Sequence, residues 1–123
     1  MKKALGWALL VCVGIGFTAL SASATEVVSV QVAPHMLLLS KVQSGEVTVH
    51  VGIPFSVVVE STIFMNGVAV SWTKADDCGN LVAKFDEESV KAVVEAPSTT
   101  LTLIGTTTGG VDFSGSDTVK VKD

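Results

Sequence analysis

The clearest structural signal in the chain is residues 63–70, Ile-Phe-Met-Asn-Gly-Val-Ala-Val, in which an Asn-Gly pair separates two apolar runs. Asn66 and Gly67 both tolerate the positive φ that a two-residue type I′ turn requires. The flanking runs are apolar and partly β-branched, which favours strands. The stretch therefore predicts a tight β-hairpin, with Asn66 and Gly67 as structural residues.

The same alternation of apolar and polar residues recurs along the chain after residue 25. It is found in residues 28–32, 46–51, 68–73, 81–86, 100–103 and 118–122. Each run is typical of a strand with one buried face and one wet face. Residues 25–123 contain 20 valines and 11 threonines, which also favour strands. The pattern predicts one all-β domain, a two-sheet sandwich of seven to eight strands.

One stretch departs from this period and predicts a short helical crossing between two strands. Asp86 is expected to cap a helix whose first turn contains Glu87 and Glu88, where acidic side chains are favourable. Pro97 limits this helix to about two turns. A solvated helix start accounts for both glutamates, and an extra strand over residues 90–95 is the alternative.

The phase of each alternation predicts which side chains share the core. The expected core residues are Val49, Trp72, Phe85, Leu101, Leu103 and Val119. Phe64 lies on the opposite side of its strand from Ile63 and Met65, so it is the best candidate for an exposed aromatic residue. Apolar runs at residues 57–59 and 63–65 place apolar groups on both faces of a strand, so a loop or a second chain is expected to cover the outer face.

The N-terminal 24 residues have the three parts of a secretory signal peptide. Two lysines precede an apolar run over residues 4–20, and Ala22-Ser23-Ala24 supplies small residues for cleavage before Thr25. An uncleaved membrane anchor is the alternative, although the run is short for a bilayer span. Residues 1–24 are thus predicted as a signal peptide and 25–123 as the folded domain, secreted to the periplasm or the cell surface.

The charge of residues 25–123 restricts the partners of this domain. Six lysines stand against twelve acidic residues, a formal net charge of −6, and the chain has no arginine. Such a surface repels nucleic acid, and membrane contact is expected only through the signal peptide. A protein partner or self-association is predicted instead. Cys78, the one cysteine of this segment, is expected to be buried and inert, with pairing between chains as the alternative.

Neither a catalytic set nor a strong metal motif can be recognised in the sequence. There is no Gly-x-Ser-x-Gly elbow, and the chain lacks arginine and tyrosine, so no enzyme and no cofactor are predicted. The weak metal candidates are Asp76, Asp77, Asn80, His35 and His50. Adjacent aspartates diverge in direction, so a plain polar turn is favoured over a Ca²⁺ site at residues 76–80.

The order of these elements resembles an immunoglobulin-like repeat domain found in secreted bacterial and archaeal proteins of unassigned function. The family motifs are close to T-L-N-L-K-S, G-x-V-T-V, L-N-G, K-F-D and G-x-x-F-x-G-S-D-T-I-x-V. They are matched by residues 34–41, 45–49, 65–67, 84–86 and 110–121, the last of which contains Gly115. Leu38 replaces the family's asparagine, and the aspartates that precede K-F-D in some relatives are fewer here.

This resemblance implies an immunoglobulin-like sandwich with Gly115 as a structural residue and Phe113 plugging one end. Together with the signal peptide, it predicts a secreted, non-catalytic domain for binding or assembly at the cell surface. One alternative is a subunit of an extracellular filament, in which residues 25–32 complete a neighbour's sheet. Another alternative is a periplasmic metal-binding module that uses His35, Met36 and His50.

Overall fold

The computed structural model describes residues 25–123, which form a two-sheet β-sandwich with one short α-helix. The strands are β1 Glu26–Val27, β2 Val30–Ala33, β3 Met36–Leu38, β4 Glu46–Pro54, β5 Val58–Met65, β6 Val68–Ala69, β7 Trp72–Ala75, β8 Asn80–Asp86, β9 Ser98–Thr107 and β10 Asp112–Lys122. Helix α1 is Glu87–Lys91, and a single 3₁₀ turn covers Phe55–Val57. The predicted signal peptide lies outside the described residues.

The all-β two-sheet sandwich with one helical crossing is the predicted fold. Sheet A has the order β1-β10-β9-β5-β6, with β3 also paired to β10, and sheet B has the order β2-β4-β8-β7. The described part of the chain contains ten strand segments rather than seven or eight. The excess consists of segments of two or three residues, β1, β3 and β6, which are too short for an alternating pattern to reveal.

The core lies between the two sheets and is built from the inward side of each alternation. Five of the six predicted core residues, Val49, Phe85, Leu101, Leu103 and Val119, are fully buried there. Phe113 is also buried, but it lies in β10 rather than in a loop. A Cβ at Gly105 would collide with the ring of Phe113, so this glycine makes room for the ring.

The prediction that Trp72 belongs to the core is wrong, since the residue is 41% exposed. The sequence reads as one alternating strand over residues 68–73, but the chain ends β6 in sheet A at Ala69 and begins β7 in sheet B at Trp72. The crossing between the sheets shifts the alternation by one residue. Trp72 therefore points outward instead of sharing a face with the half-buried Val68 and Val70.

The N-terminal segment also moves from one sheet to the other. Its first strand pairs in parallel with β10 in sheet A, its second pairs antiparallel with β4 in sheet B, and β3 returns to β10. Val28 donates a backbone hydrogen bond to the carbonyl of Ser114 at 2.9 Å. A Cβ at Gly115 would collide with the carbonyl oxygen of Val28, so this close approach requires glycine.

The short helix forms where the sequence predicts it, and an additional strand over residues 90–95 does not form. The Asp86 carboxylate accepts a hydrogen bond from the backbone N–H of Ser89 at 3.0 Å, which satisfies one free donor at the helix start. This cap ends β8 and starts α1 without an intervening loop. It therefore holds the helix against the end of sheet B.

The Asn-Gly hairpin has the predicted backbone geometry. Asn66 has φ 49° and Gly67 has φ 85°, and Met65 pairs directly with Val68 across the turn. The Asn66 side chain also accepts a hydrogen bond from the backbone N–H of Thr102 at 2.8 Å, which fastens the turn to β9. The turn thereby links β5, β6 and β9 in sheet A.

Replacing Gly67 with valine should destabilise the domain by about 1–3 kcal/mol through backbone strain. No atom lies within 4 Å of the position that a Cβ would occupy, so the cost comes from the positive φ and not from a collision. Gly109→Val is the matched control, because Gly109 is not among the glycines with positive φ and has only Thr107 Oγ1 nearby, at 3.8 Å. Urea unfolding should show a clear loss for Gly67→Val and a much smaller one for Gly109→Val; equal losses would contradict the strain argument.

Candidate functional site

The outer face of sheet B presents an exposed indole among polar side chains. Trp72 is directly opposite Lys84 on β8, which in turn is opposite Thr48 on β4. Directly opposite residues share a face, so these three side chains form one row across the sheet. Among the strands of sheet B, Trp72 is the only large apolar side chain that is this exposed. We call this surface, made by Gln31, Glu46, Thr48, His50, Trp72, Lys74, Val82, Lys84 and Asp86, the Trp72 face.

Two polar contacts hold the indole in place. Its Nε1–H donates to the carboxylate of Glu46 on β4 at 2.6 Å, although Trp72 itself is on β7 and β8 lies between them. The Nζ of Lys84 lies 5.7 Å from the ring centroid and also donates to Thr48 Oγ1 at 2.8 Å. A hydrogen bond and a cation–π contact thus fix a half-exposed tryptophan across three strands.

A shallow polar cavity of about 260 Å³ opens at the other end of the same sheet. It is lined by Ser29, Gln31, His50, Val51, Gly52, Asp76 and Asn80. His50 is opposite Val82, and Val82 is opposite Lys74, so the row next to that of Trp72 leads to this cavity. Val82 points outward yet is only 1% exposed, because the side chains of this face cover it.

The five weak metal candidates are only partly brought together. His50, Asp76 and Asn80 line the polar cavity, whereas Asp77 does not, and His35 lies 3.6 Å from the carboxylate of Asp117. Asp76 Oδ1 already accepts hydrogen bonds from the backbone N–H groups of Cys78 and Asn80, the pattern of a polar turn. Within residues 25–123, no group of three or more histidine, cysteine, aspartate or glutamate side chains could hold a metal ion.

The outer face of sheet A has a different character. Register places Ala69, Phe64, Ile104, Ser114 and Val27 in one row across five strands. Phe64 is 37% exposed, Ile104 49% and Val27 83%, and the expectation that Phe64 is exposed is confirmed. We call this row the apolar strip. Phe64 and Ile104 are thus partly exposed, and residues 25–123 do not supply the cover that the sequence leads one to expect on this face.

A buried carboxylate holds one end of the sandwich together. The Glu87 carboxylate accepts hydrogen bonds from the backbone N–H groups of Gln43, Ser44 and Gly45 at 2.8–3.2 Å. It also pairs with Lys91 Nζ at 2.6 Å. Glu87 is 5% exposed, so the expectation that it belongs to a solvated helix start is wrong. It closes the loop between β3 and β4 onto α1.

These contacts determine how Glu87 titrates. The Lys91 ammonium and the backbone N–H groups of Ser44, Gln43 and Gly45 stabilise its charged form and lower its pKa from 4.5 to about 2, although burial opposes the shift. A cleft of about 360 Å³ lies beside it, lined in part by Leu39, Lys41 and Lys91. Since both carboxylate oxygens already accept several hydrogen bonds, the geometry assigns Glu87 a structural role.

The exposure of Cys78 and the contacts of Glu87 were not predicted from the sequence. Cys78, expected to be buried, is exposed at the tip of the turn between β7 and β8, because the turn points the residue into solvent. Glu87 could not be identified from sequence, because its partners lie about forty residues earlier and no local pattern connects them.

In residues 25–123, no helix is both long enough and apolar enough to cross a membrane.

Comparison with known proteins gives two structural similarities. No family model and no curated protein match the chain. A bacterial immunoglobulin-like domain from the M. primoryensis ice-binding adhesin is 18% identical with a TM-score of 0.46, over 83% of this chain and 100% of that one. A structure concerned with host cell surface retention of a 1.5-MDa bacterial ice-binding adhesin is 14% identical with a TM-score of 0.40, over 92% of this chain and 33% of that one. Neither similarity is close enough to transfer a ligand or a role.

Replacing Glu87 with glutamine should remove a pH-dependent part of the stability. A carboxyl group with a lowered pKa contributes stability above its unfolded pKa, and this contribution is lost as the pH falls through the folded value. Wild-type stability should therefore decrease between pH 4.5 and about 2. Glu87→Gln should be less stable at pH 7 and should show a shallower decrease across this window.

Urea unfolding at several pH values between 7 and 2 measures this effect. Glu88→Gln is the matched control, because Glu88 is the next residue of the same helix and is exposed. Its pH profile should follow that of the wild type. A Glu87→Gln profile parallel to the wild-type profile throughout would show that the Glu87 contacts do not set the acid stability.

Proposed function

We propose that this chain is a secreted, non-catalytic immunoglobulin-like domain that acts by binding or assembly at the cell surface. The observation that carries the proposal is the apolar strip, which crosses sheet A with Phe64 and Ile104 at its centre. A row of adjacent exposed apolar side chains on a small domain is typical of a surface that contacts a protein partner. The signal-peptide pattern of residues 1–24 supports secretion.

Electrostatics favour the same surface for contact. The domain carries a formal charge of −6, so most of its surface repels another acidic protein. Strand β9, in contrast, contains no charged residue, and its outward threonines pair with serine and threonine on β10. A partner that approaches the apolar strip therefore meets mainly hydroxyl and apolar groups, and the nearby carboxylate of Asp112 is already hydrogen-bonded to Thr106.

The carboxylates support a non-catalytic role, because many of them already serve the fold. Asp76, Asp86, Asp112, Asp117, Glu46 and Glu87 each accept a hydrogen bond from a backbone or side-chain donor of the domain. A catalytic acid or base has to reach a substrate proton. Carboxylates that cap turns and helices are poorly placed for that task.

Assembly through a donated N-terminal strand is less well supported. Residues Val30–Ala33 pair with β4 and residues Glu26–Val27 pair with β10 of the same chain. In addition, the backbone N–H of Val32 donates to Asp117 Oδ2 at 2.9 Å. Strand exchange would have to break these contacts first. We therefore place the assembly contact on the apolar strip.

Introducing a charged side chain into the apolar strip should abolish partner binding without unfolding the domain. Ile104→Asp places a carboxylate at the centre of the strip, where its side chain is half exposed and touches little of the core. Thr100→Asp is the matched control, because Thr100 is also exposed on the outer face of β9 but lies four residues away from the strip.

The measurement is photo-crosslinking on cells that secrete the full chain, with a benzoylphenylalanine at position 64, together with sedimentation of the purified protein. Crosslinked adducts should form in the wild-type and Thr100→Asp backgrounds and disappear with Ile104→Asp, while unfolding curves stay within about 1 kcal/mol of each other. A protein that is monomeric and gives no adduct in any background would refute the proposed role of the strip.

A further inference from the structure

We propose that the Trp72 face is a binding site for an extended, neutral saccharide. The inference deepens the proposed binding function and relies on it for location at a cell surface, but it uses the sheet opposite the apolar strip. Trp72 supplies a rigid aromatic platform, and the row beside it leads to the polar cavity at His50 and Asn80.

The chemistry around the indole suits a sugar ring. A pyranose ring has flat faces of C–H groups and a rim of hydroxyls, so it requires one aromatic surface with hydrogen-bonding groups beside it. Trp72 is surrounded by a carboxylate, an ammonium and a hydroxyl, from Glu46, Lys84 and Thr48. The buried core of a protein–protein contact is, by contrast, poor in charged residues, whereas Trp72 stands between Glu46 and Lys84.

The indole platform is fixed before any ligand arrives. The bond from Trp72 Nε1 to Glu46 and the ammonium of Lys84 near the ring restrict the rotamers of the indole. A ligand that stacks on it therefore does not have to order the side chain, which lowers the entropic cost of binding.

The outer face of sheet B connects the indole platform to the polar cavity. The rows of Trp72 and His50 are two residues apart along the strands, a separation of about 6.7 Å. The cavity beyond offers the imidazole of His50, the amides of Gln31 and Asn80 and the carboxylate of Asp76. These groups donate and accept hydrogen bonds, as sugar hydroxyls do. A chain of several sugar units can thus stack on Trp72 and place hydroxyl groups in the cavity.

Charge favours a neutral ligand. Glu46 and Asp86 balance Lys74 and Lys84 on this face, and the cavity adds the carboxylate of Asp76, so the site has no excess of positive charge within a domain of net charge −6. A uronic-acid polymer would have to approach a strongly acidic protein without a cationic patch to receive it. A neutral polymer meets no such repulsion.

Fluorescence titration of the secreted protein tests the proposal. Trp72 is the one tryptophan of residues 25–123, and Trp7 lies in the predicted signal peptide, so comparison with Trp72→Phe isolates the emission of the site. The probes are cellohexaose, chitohexaose, xylohexaose and maltohexaose, with an alginate hexasaccharide as the acidic probe. We expect a saturable change in emission with at least one neutral hexasaccharide and a weaker response to alginate.

The variants separate the platform from the cavity, and saturation-transfer NMR measures their affinities without using the fluorophore. Trp72→Ala should weaken binding at least tenfold, and His50→Ala should weaken binding of the hexasaccharide about threefold. Phe55→Ala is the matched control, because Phe55 is a half-exposed aromatic in the 3₁₀ turn that belongs to neither the Trp72 face nor the cavity lining, and this variant should bind the sugar normally. Circular dichroism confirms the fold of each variant.

The experiments distinguish failure of the saccharide site from failure of the apolar strip as a protein contact. Absence of binding to every neutral hexasaccharide, preference for alginate, or unchanged affinity in Trp72→Ala would each overturn the saccharide site, whatever the crosslinks from position 64 show. If Trp72→Ala does not fold, Glu46→Ala releases the indole without removing it and should weaken binding severalfold. Unchanged affinity in that variant would also overturn the proposal.

Discussion

The ladder between β9 and β10 supports most of this molecule. Nine consecutive residue pairs join the two strands without a bulge, from Asp112 opposite Thr106 to Lys120 opposite Ser98. The free side of β10 then receives β1 at one end and β3 at the other, both in parallel. Through Asp117, β10 also accepts a hydrogen bond from β2 of the other sheet. Strand β10 therefore contacts the N-terminal segment and both sheets.

The sequence predicts the layers of this fold better than it predicts the connections between them. Alternation is a local property, so it correctly identifies Phe85 and Leu101 as core residues, and the Asn66-Gly67 turn follows from backbone preference alone. It fails at Trp72, because nothing in the local pattern marks where the chain leaves sheet A for sheet B. It fails also at Glu87, whose burial depends on a loop that is distant in sequence. Features that need two distant segments to meet are the ones that sequence reasoning misses.

The two outer faces of the sandwich differ in the residues that surround their exposed apolar side chains. On sheet A the exposed apolar residues stand in a row with neutral hydroxyl groups around them, a surface suited to another protein. On sheet B a single aromatic side chain is restrained by charged neighbours and opens onto a polar cavity. The sequence pattern does not reveal the candidate site on sheet B, because it places Trp72 in the core, whereas the structure places it outside. The same shift of phase that makes the sequence prediction wrong creates the surface.

The parallel pairing of the N-terminal and C-terminal strands has a mechanical consequence. β1 and β10 run in the same direction, and so do β3 and β10. When the two ends of the domain are pulled apart, tension acts along these strands and loads their hydrogen bonds together, in shear, rather than opening them one after another. Forced unfolding is governed by the rate of crossing such a barrier and not by equilibrium stability. A domain tethered at one end and pulled at the other would thus resist tension through β1 and β3, two short strands in which only Leu37 is fully buried.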